Sequence, residues 1–342
     1  MQATFFDFSD EFQNQSYISK GLKEYACWLS LDFSYEKTEI LLDRQIHSAI
    51  LSSQKIRDLV VEKAIQISNN QAQQVKEHLN KSMPRIASKV NIYQKKNAEL
   101  LIFEDGILVK GQKYYRDSSN RAAPSDKGKG KRPSTDIAIL PTAEGLPTYL
   151  IGGIGEHAVP LDKVMQAHVK QHFSDAEKPL RLVCITDGAS QIHTRYKKAF
   201  GQPPIRILDW YHLKKKVNEL CMMICFGKEK KKQAVKDILK LLWKGDKQNA
   251  LSYLETKVAV RNKAKHTELM NYLKKHGEAI INYELRKNQG KTIGSGCMEA
   301  SVKLAVAIRQ KKKGMAWTPT GSSALAILTI QKMNGLWENC WN

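Results

Sequence analysis

Apolar positions recur at two different periods along this chain, and the change from one to the other divides it. From about residue 15 to 80 they follow helical spacing with little glycine between them. Ser34 is placed to cap a helix carrying Ile40, Leu41 and Ile46, and a break over 48–53 follows. A second helix then turns Ile56, Leu59, Val60 and Ala64 inward.

Beyond Pro84 the pattern becomes that of strands. A first strand is expected over about 100–110, then a basic, glycine-rich and serine-rich loop over 116–133 that holds almost nothing apolar. Strands over 137–141 and 148–152, with Gly145-Leu146-Pro147 between them, complete a meander. A helix over 161–173, a strand ending at Asp187, a helix over 190–200 and a strand over 205–208 come next. Alternation of strand and helix implies parallel pairing, so the sheet is expected to be mixed. From 213 to about 289 every periodic segment is helical, which makes an all-α insertion in an α/β domain. The expected borders are 1–97 for an N-terminal helical region, 98–212 for the first part of the α/β core, 213–290 for the insertion and 291–342 for the second part of the core.

Composition narrows the partners. The 342 residues are 42% apolar, ordinary for a globular protein, but 55 Lys and Arg against 34 Asp and Glu leave a formal charge of +21. Such an excess suits phosphate contacts spread over a wide surface, so nucleic acid is the leading partner. No apolar run approaches the roughly 18 residues of a membrane span. The first residues lack the basic, apolar, small order of a secretory signal, and six cysteines without a repeated CxxC pair fit reduced thiols, so an intracellular protein is expected. Cys221 with Cys225, and His168 with His172, each share a helix face but lack the matching partners of a zinc site.

Three acids stand in unusual settings. Asp105 interrupts the apolar run 100–109, Asp187 closes Leu182-Val183-Cys184-Ile185-Thr186 just before Gly188, and Glu299 follows Gly294-Ser295-Gly296 at the start of a helical stretch. Taken singly, Asp187 reads as a turn residue and Glu299 as a first-turn acid favoured by the helix dipole. Two strand carboxylates and a helix carboxylate brought to one place would instead be hard ligands for a pair of divalent cations.

The ordered set Asp187-Gly188, Ile207-Leu208-Asp209-Trp210-Tyr211-His212, a helical insertion and Gly294-Ser295-Gly296-Cys297-Met298-Glu299 resembles the DDE transposases of bacterial insertion sequences. Asp209-x-x-His212 is similar to a signature of the Mutator-like and hAT-like branches, and Lys313-Gly314-Met315-Ala316-Trp317 with the apolar stretch 324–330 extends the likeness over about 98–335. The resemblance implies a ribonuclease-H-like fold in which strands one and four are parallel neighbours. It implies two Mg²⁺ or Mn²⁺ ions held by Asp105, Asp187 and Glu299, with Asp209 and His212 shaping the site or flipping a base. It implies strand cleavage and strand transfer at terminal inverted repeats, by an oligomer on paired ends in the bacterial cytoplasm. Asp136, which also precedes an apolar strand, rivals Asp105; the family places the acid inside the first strand and follows it with Gly, as in Asp105-Gly106. A DNA-binding protein descended from a transposase, or a ribonuclease-H-like nuclease or resolvase, would share parts of this pattern.

DNA contacts are expected from two regions. The N-terminal helix pair resembles a helix-turn-helix, with Gln54, Lys55 and Arg57 outward near the start of its second helix. Near Glu299, regular helical phase puts Lys303, Gln310 and Lys313 on the acid's stripe, with Leu304, Ala305 and Ile308 opposite. Lys311, Lys312 and Lys313 form a basic run before Trp317, the tryptophan best placed to stack on a base, ahead of Trp210 and Trp243. Further runs at 214–216 and 230–232 and in the loop at 127–132 add to the basic surface.

Overall fold

The computed structural model describes residues 18–112 and 132–342, so the basic run at 127–132 lies outside the described residues except for Arg132. The helices α1 (Lys20–Asp32), α2 (Tyr35–Ile46) and α3 (Ser53–Leu79) come first. The strands β1 (Leu100–Leu108), β2 (Ser134–Pro141) and β3 (Pro147–Ile151) follow, then α4 (Leu161–Phe173), β4 (Leu182–Thr186), α5 (Ser190–Phe200) and β5 (Ile205–Leu208). Next come the helices α6 (Trp210–Ile224), α7 (Lys228–Trp243), α8 (Lys247–Thr256), α9 (Lys263–Lys275) and α10 (Tyr283–Asn288). The chain closes with α11 (Gly296–Val302), α12 (Ile308–Gln310), α13 (Pro319–Met333) and α14 (Trp337–Trp341). Among the described residues no helix is long and apolar enough to cross a membrane.

Two compact units share these elements. Of the described residues, one takes 18–67, 109–112, 132–133 and 305–342; the other takes Ser68–Leu108 and Ser134–Leu304. The division falls elsewhere than the expected borders. Residues 305–342 group with the N-terminal helices instead of the strands, and the helical block stays with the sheet. The reason is packing: α13 carries buried residues on nearly every side and lies against α1 and α14.

The larger unit is built on a five-stranded sheet in the order β3-β2-β1-β4-β5. β1 pairs antiparallel with β2 and parallel with β4; β2 and β3 are antiparallel, β4 and β5 parallel. This is the mixed α/β sheet that the periodicity predicts. Side chains alternate across a strand, and the even positions Leu100, Ile102, Ala138, Leu140, Leu182 and Cys184 enter one core with α4 and α5. Odd positions such as Phe103, Asp105 and Ile185 therefore point to the other face. β4 is buried along its whole length, which explains why it reads as a continuous apolar run with no alternation. In the helical block α6 packs on α7 and α9, and α8 on both of those.

In the smaller unit Ser34 caps α2 as expected, its hydroxyl accepting the Lys37 N–H. Ile56, Leu59, Val60 and Ala64 are buried on α3 as the periodicity requires. α3 is not a short helix, however: it runs 27 residues, since no glycine or proline interrupts it before Leu79. Ile40 and Ile46 on α2 are exposed, because the buried line of that helix passes through Thr38 and Leu42.

A π-helical turn at Lys303–Ala307 corrects the expected stripe after Glu299. One extra residue per turn shifts helical phase. Leu304 and Ile308 come out exposed, while Gln310 is buried with its amide donating to the Ser322 carbonyl. Lys303 and Lys311 to Lys313 remain exposed.

Candidate functional site

The pairing of β1 with β4 ends at Phe103 and Ile185, and two residues further along each strand direction stand Asp105 and Asp187. Asp105 lies on the odd-numbered face of β1, away from the α4 and α5 core, and Asp187 stands exposed in the turn after β4. Glu299 arrives from α11, which packs against β1 and β2. His212, in the first turn of α6, presents Nε2 3.5 Å from Glu299 Oε1 and Nδ1 3.5 Å from Asp209 Oδ1. Sheet register, one helix and one strand-end turn thus bring four separated segments together.

The electrostatics agree with this convergence. Burial is the main influence raising the Asp105 carboxyl above its ordinary value; the Gly106 N–H, 2.8 Å from Oδ1, opposes it. The negative charges of Asp187 and Glu299 push it further up, and His212 pulls it down. His212 itself is raised chiefly by its hydrogen bond with Asp209, against burial, and then by the charges of Asp209, Glu299 and Asp187. The His212 ring is a basic group set among the carboxylates of Asp209, Glu299, Asp187 and Asp105.

Asp209 is the tie beneath the site. Its carboxylate is 1% exposed: Oδ1 accepts the His212 N–H at 2.8 Å and so caps α6, while Oδ2 accepts the Ser295 hydroxyl at 2.6 Å and the Ser295 N–H. Burial alone would raise its pKa, yet the hydrogen bonds from His212 and Ser295 outweigh it and hold the group at about 2. Ser295 lies just before α11, so Asp209 fastens the start of the Glu299 helix to the end of β5. The Trp210 N–H adds a second fastening by donating to the Ile293 carbonyl at 3.1 Å.

Glycine at two positions makes this closeness feasible. A Cβ on Gly294 would stand 2.5 Å from the Tyr211 ring, and Gly188, at φ 93°, would meet the His276 ring at 2.6 Å. Asp187 Oδ1 accepts the Ala189 N–H at 2.9 Å across the turn that Gly188 makes.

Asp136 belongs elsewhere. It pairs with Gly106 across the β1–β2 ladder, on the face of Glu104, and both acids bind Arg195 of α5, Asp136 at 2.6 Å. Strand alternation therefore gives Asp105, and not its rival, to the face away from the α4 and α5 core. Glu104 is an ion-paired core residue.

Other expected contacts sort differently. Gln54, Lys55 and Arg57 are exposed at the start of α3, although Gln54 and Arg57 both bond Asp58, whose carboxylate offsets the Arg57 charge. Trp317 is a correction: it is buried, its indole N–H donates to the Gln310 carbonyl, and its ring meets Tyr35 edge-on. Apolar surroundings, not the neighbouring lysines, decide its place. Trp210 and Trp243 likewise pack on each other and on Tyr283. Sequence reasoning passed over Tyr211, 59% exposed with its ring against Gly294, and Ser295. The serine's position before a helix start was the available signal; for Tyr211 only its step in helical phase from Trp210 distinguished it.

As they stand, no three His, Cys, Asp or Glu side chains among the described residues form a ready-made cation site. Asp105 and Asp187 are turned to backbone N–H groups and Glu299 to His212. The donor set nevertheless fits a hard divalent ion in kind: three carboxylates, with Asp187 and Glu299 within electrostatic reach of Asp105. Comparisons of the chain with protein families, with curated proteins and with solved structures find no match.

Proposed function

We propose that this chain is a DDE transposase with a ribonuclease-H-like core, cutting and joining DNA strands at the ends of a mobile element. The observation that carries the reading is the approach of Asp105 on β1, Asp187 just past the end of the parallel neighbour β4, and Glu299 from α11 to His212. The strand order 3-2-1-4-5 and the helical block between β5 and Glu299 support the family named by the sequence motifs. The charge of +21 supports DNA as the partner.

In this reading Asp105, Asp187 and Glu299 hold two Mg²⁺ or Mn²⁺ ions, which when bound activate the attacking hydroxyl and stabilise the leaving oxygen at phosphorus. His212 orients the Glu299 carboxylate, and Asp209 keeps both α6 and the start of α11 in register. Exposed Tyr211, its ring against Gly294, stands where DNA would lie. Gln54, Lys55 and Arg57 on α3, with Lys303 and Lys311 to Lys313, face the duplex, and two or more copies act on paired ends.

The test uses the purified full chain, a duplex carrying the inverted repeats that flank its gene, a supercoiled target plasmid and Mg²⁺. Joined product is expected from the wild type and none from Asp187→Asn, with retained binding of the end duplex by both. Full cleavage by Asp187→Asn, or a wild type that binds the ends and never nicks them, would refute the reading.

A further inference from the structure

The smaller unit contains a cavity of about 830 Å³ to which none of the three acids contributes. Its floor is Arg309, 3% exposed. The guanidinium is clamped between rings, 5.5 Å from the centre of Tyr35 and 5.0 Å from that of Trp317. Its hydrogen bonds go to uncharged groups: Nε to the Ser30 carbonyl at 2.9 Å and Nη1 to the Met315 sulfur at 3.1 Å. Among the described residues no carboxylate stands at ion-pair distance from it; Asp32 acts only from further off.

A buried cation without a counter-charge is costly, and such sites are completed by an anion. Two more features of the cavity wall point the same way. The Tyr35 hydroxyl is buried with no hydrogen-bond partner, although it lines the cavity with Arg309. Thr320 and Gly321, in the first turn of the 15-residue helix α13, line it too, and a helix N-terminus favours negative charge. The α3 wall carries Arg57, paired with Asp58 at 2.9 Å, and the exposed acid Glu62, so of the two lining cations Arg309 is, among the described residues, the one without an ion pair.

We propose that this cavity binds a phosphate group, with Arg309 as its planar two-pronged donor, the Tyr35 hydroxyl as a second donor and the start of α13 as the electrostatic seat. A guanidinium fixed between two rings matches the oxygens of a phosphate better than a mobile lysine would. The phosphate comes either from a DNA backbone diester or from a terminal monoester. The site is independent of the carboxylate reading and survives if that reading fails.

The experiment titrates the full chain with inorganic phosphate and with a short duplex, with and without a 5′-phosphate, by calorimetry at fixed ionic strength. Thr320→Glu is the informative variant: an exposed first-turn position tolerates an acid, which would occupy the seat in place of the ligand. Arg309→Lys keeps the charge and loses the fork. Both variants are expected to bind inorganic phosphate about tenfold more weakly, the loss of one charge-assisted contact. Thr320→Glu should do so with an unchanged or raised melting temperature. A drop confined to the 5′-phosphorylated duplex assigns the site to a terminal monoester; an equal drop for both duplexes assigns it to the backbone. Unchanged phosphate affinity in a folded Thr320→Glu would overturn the proposal and leave only the diffuse attraction of a basic surface.

Discussion

Asp105 on β1 and Asp187, the first residue after β4, lie two residues beyond the last pair of a parallel ladder. The interval of 82 residues that pairs Leu100 with Leu182 and Phe103 with Ile185 also separates the two aspartates. A register slip of one residue in β1 would send the Asp105 carboxylate through the sheet to the α4 and α5 face. The sheet core that fixes the register therefore also fixes the site.

Crowded acids work against the fold. Burial and the charges of Asp187 and Glu299 raise the Asp105 carboxyl, so its ionised form is a burden above the folded pKa that disappears as pH falls below it. Asp105→Asn is expected to melt at the same or a higher temperature than wild type at pH 7.5 without divalent ions, and to lose strand cleavage. A scanning-calorimetry trace several degrees below wild type would contradict this account.

For Asp209 the sign is opposite. Its pKa is held at about 2, so it stabilises the fold above the ordinary carboxylate range, and that contribution is lost as pH falls toward 2. Asp209→Asn presents an amide hydrogen to one of two donors, the His212 N–H or the Ser295 pair, and should cost about 2 kcal/mol at pH 7. Urea unfolding at pH 7 and pH 3 checks it: the gap between wild type and variant must narrow at the lower pH.

His212 has a raised pKa, so its contribution is complete below the ordinary 6.5 and is lost as pH rises through the folded value. His212→Gln should be more destabilising at pH 6 than at pH 9 in metal-free buffer. Equal differences at both pH values would mean that the imidazole does not carry charge between Asp209 and Glu299.

Arg286 tests the frame around the site. It is fully buried, donates to the Thr292 and Ile92 carbonyls, and pairs with Glu99 at 2.7 Å, where Lys291 also binds at 2.5 Å. Arg286→Met leaves Glu99 with Lys291 alone and should cost about 3–5 kcal/mol in chemical denaturation. Arg57→Ala, at an exposed pair, should stay within about 0.5 kcal/mol.

Local pattern alone determined the strands, the helices α4 and α5, the all-helical block and the three acids, since burial on a sheet or helix face imposes periods that a sequence must carry. Tertiary structure decided the rest. Asp105 and Asp136 look alike in sequence and differ only in the face that the β1–β2 ladder gives them. The π turn after Glu299 leaves no periodic signal in five residues, yet it moves Gln310 inward and Leu304 out. Trp317 follows a lysine run but is buried against the ring of Tyr35, distant in sequence, and the guanidinium of Arg309. Charge, spacing and capping are local properties of a chain, whereas which face a side chain shares, and with what, depends on partners brought from far along it.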